Sequence, residues 1–373
     1  MDFLFIIISL LMITVLIVVH EFGHFLAAKY YGFQTPVFGI GLPFGPSINL
    51  GKRWGTQFKF YWALIGGFVA IPELGDETDP DTITEYAIDK PLREFPVHQR
   101  AVVASGGIVF NILFAFLLAI IMAATIGLPT ANATNNISAF VDEASAAQAA
   151  GLKAGDQIIQ INSTQIATGT ELQKAVKSYS YQDINVKIRR ATSAKQYQII
   201  STKFYSKGSL GVILGHQKAY QKYPMNPLTW IIEAFKFTVN TMIGMLISVI
   251  AIFASLFSKI ASIFGVSIGP AAVELGEVKG IVGIVQIISQ DIKSNAFLLL
   301  EYAILLSLNL AVINVLPIPA LDGGHLLFMA YEAIAGKKPS EKVLNGAMQA
   351  GFIFLLSIIA LTTLNDVKNW IWH

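Results

Sequence analysis

The first apolar stretch of the chain runs directly into a cluster of ionisable residues. Residues 3 to 19 are almost wholly apolar, and the sequence His-Glu-Phe-Gly-His follows at residues 20 to 24. The stretch is long enough to enter a bilayer as a helix. An ionisable group at that depth is costly, so its presence indicates a function. The plainer alternative is a membrane anchor that ends in a few polar residues.

The spacing of this motif, HExxH, suits a metal. On a helix, residues four apart share one face, so His20 and His24 can hold one Zn²⁺ together. Glu21 lies beside them and can act as general base toward a water molecule that the metal activates. Cysteine is absent, so any zinc must be bound by histidine and carboxylate. A catalytic zinc site usually takes three protein ligands, so a third is expected elsewhere in the chain.

Composition sets the class of protein. Of the 373 residues, 54% are hydrophobic and only 13% are charged, whereas soluble domains average about 25% charged. The mean hydropathy is +0.59. We therefore expect a polytopic membrane protein that carries a soluble part and has membrane lipid around it. The net charge of +2 predicts no nucleic-acid partner.

The predicted fold is a polytopic α-helical membrane protein with a membrane-associated β-hairpin or sheet and one extracytoplasmic α/β module. About four transmembrane helices are expected, at residues 3–26, 101–126, 296–316 and 343–364. Residues 227–264 are apolar, but Glu233, Lys236 and Asn240 interrupt the first half of this segment. We expect it to form a surface-lying or re-entrant helix pair, because the orientation that the basic residues predict requires an even number of crossings there, or none. The predicted domains are an N-terminal membrane domain (1–130), the module (131–218), a juxtamembrane segment (219–295) and a C-terminal membrane domain (296–373).

Basic residues predict the orientation, because they collect on the cytoplasmic side. They cluster between the first two spans and before the last one: Lys29, Lys52, Arg53, Lys59, Lys90, Arg93, Arg100, Lys337, Lys338 and Lys342. The N-terminus and the module then lie outside, and His24 lies at the cytoplasmic end of the first span. A partner ligand must lie at that same depth. This requires an even number of crossings, or none, between residues 227 and 264.

Asp322 is the candidate third ligand. It follows an apolar span at the predicted cytoplasmic level. Pro317 and Pro319 break the helix before it, and Gly323 and Gly324 after it allow backbone angles that other residues avoid. An unwound segment at that depth is tolerated only where protein or a water-filled cavity surrounds it. The alternative is an aspartate that caps a short helix, and His325 is a weaker ligand candidate.

Three asparagines lie within apolar spans. Asn309 and Asn314 either hold a substrate backbone near the metal or bond to another helix, which is the usual role of such residues. Asn111, four residues after Gly107, fits mainly a packing role.

A strand-like stretch at residues 56–71 contains Gly66 and Gly67, which would let another backbone approach closely. It is either a sheet edge that takes up substrate or a plain structural hairpin.

These motifs together resemble the site-2 protease family of intramembrane zinc metalloproteases, in particular the bacterial branch that includes the regulator of sigma-E protease. The similarity rests on HEFGH at 20–24, QRAVVASGGIVFN at 99–111 and NLAVINVLPIPALDGGHLLF at 309–328. A PDZ-like pattern at 145–162, SAAQAAGLKAGDQIIQIN, adds to it. Only one PDZ-like module is recognised in the sequence, where the best-known Gram-negative relatives have two in tandem.

The resemblance implies roles for particular residues. His20, His24 and Asp322 would be the zinc ligands and Glu21 the catalytic base. Asn314 and the two prolines, Pro317 and Pro319, would support or contact substrate.

It also implies an enzyme of the bacterial cytoplasmic membrane that cleaves single-pass membrane proteins, such as anti-sigma factors or remnant signal peptides. A catalytically inactive PDZ membrane scaffold and a zinc transporter are the competing classes. The sequence leaves the oligomeric state open.

Overall fold

The computed structural model describes residues 3–74, 93–140, 146–179, 182–193, 196–206, 210, 212–263 and 280–371. The chain divides into two compact units. The membrane unit consists of Met1–Thr125 and Tyr223–His373, and the insert unit consists of Ile126–Lys222.

Helices and strands follow one another along the chain in this order. The membrane unit begins with α1 (Phe3–Tyr31), β1 (Val37–Arg53), β2 (Thr56–Val69), a 3₁₀ turn (Pro72–Leu74) and α2 (Val97–Thr125). The insert unit holds β3 (Leu128–Phe140), α3 (Ala146–Ala149), β4 (Gln157–Ile161), β5 (Thr164–Gln165), α4 (Gly169–Ser178), β6 (Gln182–Ser193), β7 (Gln196–Ser206) and β8 (Val212–Gln221). The membrane unit continues with α5 (Pro227–Ile263), α6 (Ile281–Ser294), α7 (Leu298–Val315), α8 (Asp322–Ala335) and α9 (Glu341–Ile371).

Five of the described helices are long and apolar enough to cross a membrane, where the sequence predicts about four. The qualifying stretches are Phe3–Tyr31, Val97–Thr125, Pro227–Ser255, Leu298–Val315 and Glu341–Asp366. Four of them fall where spans are predicted. The fifth belongs to α5, in the segment for which a helix pair is expected.

The expected helix pair at 227–264 is wrong, because residues 227–263 form the single helix α5. Pro227 stands at its first position, where proline is well tolerated, and no further proline follows before its end. Glu233 and Lys236 do not interrupt the helix but form an ion pair of 2.6 Å along it, as residues three apart can. The even number of crossings before α7 stays a prediction, since residues 264–279 lie outside the described chain.

Helices α1 and α2 touch backbone to backbone. A Cβ atom added to Gly23 would lie 2.2 Å from the carbonyl oxygen of Gly106, and one added to Gly106 would lie 2.6 Å from that of Gly23. Such distances are far shorter than van der Waals contact, so only glycine fits at both positions. This approach brings the side chains of α2 against the motif at residues 20–24.

Helix α7 runs in the same direction as α1. Met12 and Ala303 share one apolar cluster, and further along both helices Asn314 lies beside His20. The C-terminal end of α7 therefore lies at the level of His20, and α1 continues beyond it to Tyr31. The position of Asp322 directly after α7 thus brings it to the depth of His24.

Strands β1 and β2 form the predicted sheet next to α1. Val69 of β2 pairs with Phe38 of β1. The N–H of Ala70 donates to the carbonyl of Val37 at 3.1 Å. Because successive N–H groups of a strand alternate in direction, the N–H groups of Val69 and Gly67 point away from β1. That edge of β2 faces α1.

The insert unit is a mostly antiparallel sheet with two short helices. The strand order is β7-β6-β4-β3-β8, and β5 pairs with β4. Apolar and polar residues alternate in β4, β6 and β7, as in strands with one buried face. Helix α4 begins with a capping box, in which Thr168 and Glu171 accept hydrogen bonds from each other's backbone N–H groups. The assignment of this unit as PDZ-like stays a prediction.

The contact between Gly23 and Gly106 gives a first prediction. Replacing Gly106 with alanine forces α1 and α2 apart, and we expect the protein to lose about 1–3 kcal/mol of stability, as in other overpacked interiors. The measurement is thermal unfolding of the purified protein in detergent.

The matched control is Gly346→Ala on α9, where an added Cβ meets nothing within 4 Å. This change should be neutral or stabilise by up to about 1 kcal/mol, because alanine favours helix. Equal unfolding temperatures for the two variants would contradict the packing argument.

Candidate active site

Three side chains converge beside the C-terminal half of α1. Asp322 Oδ2 lies 3.2 Å from His20 Nε2 and 3.4 Å from His24 Nε2. The two histidine Nε2 atoms are 3.2 Å apart. Among the described residues this is the group of metal-ligating side chains that could share one ion, with its ligand atoms all within 4.8 Å of one another. The residues predicted as a set are therefore brought together.

His24 is held by the backbone of α2. Its Nδ1 lies 2.8 Å from the carbonyl oxygen of Val103, which can only accept a hydrogen bond. Nδ1 therefore carries the proton, and in the neutral ring the lone pair is on Nε2, which points toward Asp322. A histidine prepared in this way can bind a metal through Nε2.

One face of α2 covers both imidazole rings. Val103, Gly107 and Asn111 are four residues apart and so lie on the same face. A Cβ added to Gly107 would lie 2.4 Å from His24 Nε2 and 2.6 Å from His20 Nε2. The Asn111 side chain is fully buried, and its Nδ2 lies 3.1 Å from His20 Nδ1. The absent side chain at Gly107 thus leaves room beside the ligand atoms.

The donor set fits zinc. Asp322 Oδ2 is buried and receives no hydrogen bond from the described residues, although two ring nitrogens lie near it. When both rings are in the neutral form that binds a metal through Nε2, two lone pairs and a carboxylate oxygen point at one another and repel unless a cation lies among them. Two imidazoles and one carboxylate, with no thiolate, are a ligand set typical of catalytic zinc.

Asp322 is positioned by the break between α7 and α8. Residues 316–321 are not helical, as the two prolines predict. Ala320 has a positive φ of 76°, whereas Gly323 and Gly324 have ordinary angles. The expectation that these glycines are needed for unusual backbone angles is therefore wrong. A Cβ added to Gly323 would lie 2.1 Å from the carbonyl oxygen of Leu316, and one added to Gly324 would lie 2.5 Å from that of Ile318. They are needed because the unwound segment passes directly over the start of α8.

Helix α8 is fixed to the start of α2 at its other end. Arg100 forms an ion pair of 2.6 Å with Glu332 and also donates from Nε to the Phe95 carbonyl at 3.0 Å. Both charged side chains are mostly buried, so the pair is less screened than one on the surface. The helix that carries Asp322 and the helix that covers the histidines are thereby held together.

Glu21 faces the edge of the sheet. Its Oε2 accepts a hydrogen bond of 3.2 Å from the outward-pointing N–H of Val69. A Cβ on Gly67 would lie 3.7 Å from Glu21 Cγ and 3.3 Å from Val18 Cγ2. Gly66 has a φ of +113°, which favours glycine. Both glycines predicted from the sequence therefore lie on the strand that passes beside Glu21.

The remaining predicted residues are divided. Asn314 is buried, with its Nδ2 3.4 Å from His20 Nε2. Asn309 lies on another face of α7, about 140° around the helix from Asn314, and none of the described contacts joins it to the histidines. Pro317 is exposed and Pro319 is half-buried in the unwound segment. Pro319 also packs against α9, where a Cβ on Gly351 would lie 2.0 Å from its carbonyl oxygen.

Sequence reasoning misses the backbone contacts of the site. The Val103 carbonyl and the Val69 N–H carry no signal in the identity of their residues. For Gly107 and Asn111 a signal exists in their spacing from Val103, but that spacing also fits simple helix packing.

Known proteins are similar in sequence to this chain over most of its length. The profile of "Peptidase family M50" matches residues 8–358. A protein of Synechocystis sp. named "Putative zinc metalloprotease slr1821" is 32% identical over 96% of this chain and 93% of its own length. The chloroplastic "Membrane metalloprotease ARASP" of Arabidopsis thaliana is 30% identical over 97% of this chain and 78% of its own. A Campylobacter jejuni protein named "Putative zinc metalloprotease Cj1068" is 30% identical over 97% and 92%.

The chain belongs to peptidase family M50, the site-2 protease family. The predicted family is confirmed, and so is the class of enzyme, a metalloprotease with zinc as its cofactor. Five apolar helices and this family make it an integral membrane protein.

The space at Gly107 gives a second prediction. In Gly107→Ala the new methyl group occupies the room beside both Nε2 atoms, so we expect the zinc content of the purified protein to fall about tenfold or more. The measurement is zinc per protein by mass spectrometry of the metal.

Gly244→Ala serves as the control, because an added Cβ there meets nothing within 4 Å. Wild-type zinc content in Gly107→Ala would show that the ion does not lie against this face of α2.

Proposed function

We propose that this chain is an intramembrane zinc metalloprotease that hydrolyses peptide bonds in or near transmembrane segments of single-pass membrane proteins. The observation that carries the proposal is the convergence of His20, His24 and Asp322 among apolar helices, with Glu21 one residue from His20. A site of this kind inside a membrane suits a substrate that is itself embedded there.

His20, His24 and Asp322 are the zinc ligands in this proposal. Zinc, when bound, supplies the Lewis acidity that makes a water molecule nucleophilic at neutral pH and polarises the scissile carbonyl. The side chains of the protein fix the position and the charge of the site. With Zn²⁺ bound, two neutral histidines and one carboxylate would neutralise only one of its two charges, and the remaining positive charge favours the negative charge that develops on the substrate carbonyl oxygen.

Glu21 is the general base. It takes a proton from the attacking water through a carboxylate oxygen and then delivers it to the amine that leaves. Its place beside His20 in the motif and its contact with the sheet edge keep the carboxylate near the ligand atoms. The hydrogen bond from Val69 holds Oε2, which leaves Oε1 to receive the proton.

A substrate helix must unwind before it is cut, because its backbone groups are already hydrogen-bonded to one another. The edge of β2 at Gly67 offers outward backbone groups, and a released substrate strand can pair with such an edge, whereas the outward N–H of Val69 already donates to Glu21. Gly67 has no side chain to obstruct that approach. The edge runs beside Glu21, so a strand added there passes the site.

Asn314, Pro317 and Pro319 are proposed to contact the substrate near the metal. Asn314 lies within 3.4 Å of His20 Nε2, which supports a role at the site. Asn309 is farther around α7, and its proposed substrate contact draws no support from its position. Gly66 supports the bend of β2 that brings Gly67 to the edge.

The insert unit is proposed to be a single PDZ-like domain outside the cytoplasmic membrane of a bacterium. There it would bind a newly exposed C-terminus or act as a steric filter for substrates already trimmed on that side. Anti-sigma factors and remnant signal peptides are the expected substrates. The excess of basic residues between α1 and α2 supports a cytoplasmic position for the zinc-binding end of α1.

The competing classes draw no support from this site. An inactive scaffold has no use for a glutamate held beside two histidines and a carboxylate. A transporter needs polar groups along a path through the membrane, whereas the proposed ligands lie at one depth.

The third prediction tests hydrolysis in cells. Glu21→Gln removes the base but keeps the size and polarity of the side chain, and we expect a loss of turnover of about 10²- to 10⁴-fold. Membrane-embedded fragments of single-pass proteins, trimmed on their outer side, should accumulate only in the variant. The measurement is quantitative proteomics of the membrane fraction.

Zinc content is the control for this experiment, because the substitution leaves the three ligands in place. If a folded, zinc-loaded variant yields the same fragments as wild type, hydrolysis at this site is excluded and the scaffold class takes its place.

The fourth prediction tests the contact between Val69 and Glu21. Val69→Pro removes the N–H that Glu21 accepts, at a position where the strand itself does not use it, and proline is tolerated at such edges. We expect kcat to fall roughly ten- to a hundredfold, with unchanged zinc content. The measurement is cleavage of a substrate segment in detergent.

Val69→Ala is the matched control, since it shortens the same side chain and keeps the N–H. A comparable loss of kcat in both variants would assign the effect to packing of the valine and not to the hydrogen bond.

A further inference from the structure

One nitrogen of the His20 ring, Nε2, faces Asp322, and the other, Nδ1, faces the buried side chain of Asn111. His20 Nε2 points to Asp322 at 3.2 Å, so zinc binding at this atom requires its lone pair. The neutral ring then carries its proton on Nδ1, which must donate that proton to an acceptor or leave a buried donor unsatisfied. The group within hydrogen-bonding distance of Nδ1 is the carboxamide of Asn111.

That carboxamide has one end without a partner. Asn111 is fully buried, its Nδ2 lies 3.1 Å from His20 Nδ1, and its Oδ1 has no hydrogen-bond partner among the described residues. A half-turn about the last side-chain bond exchanges the two ends with little change of shape. Oδ1 then accepts from His20 Nδ1–H.

The opposite orientation is incompatible with zinc. If Nδ2 donates to an Nδ1 lone pair, the single proton of the neutral ring moves to Nε2. That proton points at Asp322 and occupies the place of the metal. The orientation of the Asn111 amide therefore decides which nitrogen of His20 is free.

We propose that Asn111 is a positioning residue of the zinc site, which accepts a hydrogen bond from His20 Nδ1–H and so fixes the tautomer and the ring angle that zinc requires. The inference rests on the proposed zinc ligation by His20. Asn111 performs for His20 the role that the Val103 carbonyl performs for His24. A neutral amide does so without the cost of a second buried carboxylate at membrane depth.

The rest of the structure holds Asn111 in place. Its backbone carbonyl accepts a hydrogen bond of 2.8 Å from Ser307 Oγ of α7. Gly107, one turn earlier, lets α2 approach the rings closely enough for a short side chain to reach Nδ1. The same helix face therefore contacts both histidines, and α7 packs against that face through the backbone of Asn111.

The test is zinc affinity of the purified full-length protein in detergent, measured by competition with a chromogenic chelator. Asn111→Leu keeps the number of side-chain heavy atoms and removes the acceptor, and we expect zinc to bind about 10- to 100-fold more weakly. Asn111→Asp restores an acceptor at the same place, and its affinity should lie within several-fold of wild type. The Co²⁺-substituted protein should show a shifted visible absorption band in Asn111→Leu and a band close to wild type in Asn111→Asp.

Ser307→Ala is the control, because it loosens Asn111 through the backbone without removing the acceptor. It should lower the unfolding temperature slightly and leave zinc affinity within about twofold of wild type. If Asn111→Leu does not fold, Asn111→Ala removes the acceptor without adding branched bulk, and the same loss is expected.

Two outcomes overturn the inference. One is wild-type affinity and an unshifted Co²⁺ band in Asn111→Leu. The other is a loss in Asn111→Asp as large as in Asn111→Leu, because an acceptor would then not matter. Wild-type protein that binds no zinc would instead refute the proposed metal site itself, so the two failures are separable.

Discussion

The direct contact between the backbones of α1 and α2 at Gly23 and Gly106 is the constraint on which the rest of the site depends. Because the two helices touch there, a carbonyl of α2 reaches one histidine and the Asn111 side chain lies near the other. A helix pair at the usual spacing of about 8–10 Å would leave both rings without these partners. The two histidines are thus oriented by uncharged groups, a backbone carbonyl and an amide side chain, which suits an apolar environment.

How much of this could be predicted from the sequence depends on whether the signal is local. His20, Glu21 and His24 follow from helical periodicity alone, and the strands of the insert unit follow from alternation. Asp322 could be found because a break after an apolar span is visible in Pro317 and Pro319. These features need no knowledge of which helices are neighbours.

The features that sequence reasoning misses depend on packing between distant segments. The role of Asn111 exists only because α2 lies against α1, and Gly323 is required only because the chain folds back over α8. The continuous α5 escapes prediction for a different reason, since Glu233 and Lys236 look like interruptions although they pair with each other on the helix surface. In each case the sequence gives the residue type, but its structural role depends on which segments pack around it.

The ligands of the proposed zinc site come from opposite ends of the chain, and this order has a consequence for synthesis. His20 and Asp322 are roughly 300 residues apart, so at about 5–20 residues per second the ribosome needs on the order of 15–60 seconds to pass from one to the other. During that interval the nascent chain holds the proposed base and two of the proposed ligands but lacks the third. The growing polypeptide therefore lacks a complete zinc site, and that site can form only after α7 and the start of α8 have been synthesised.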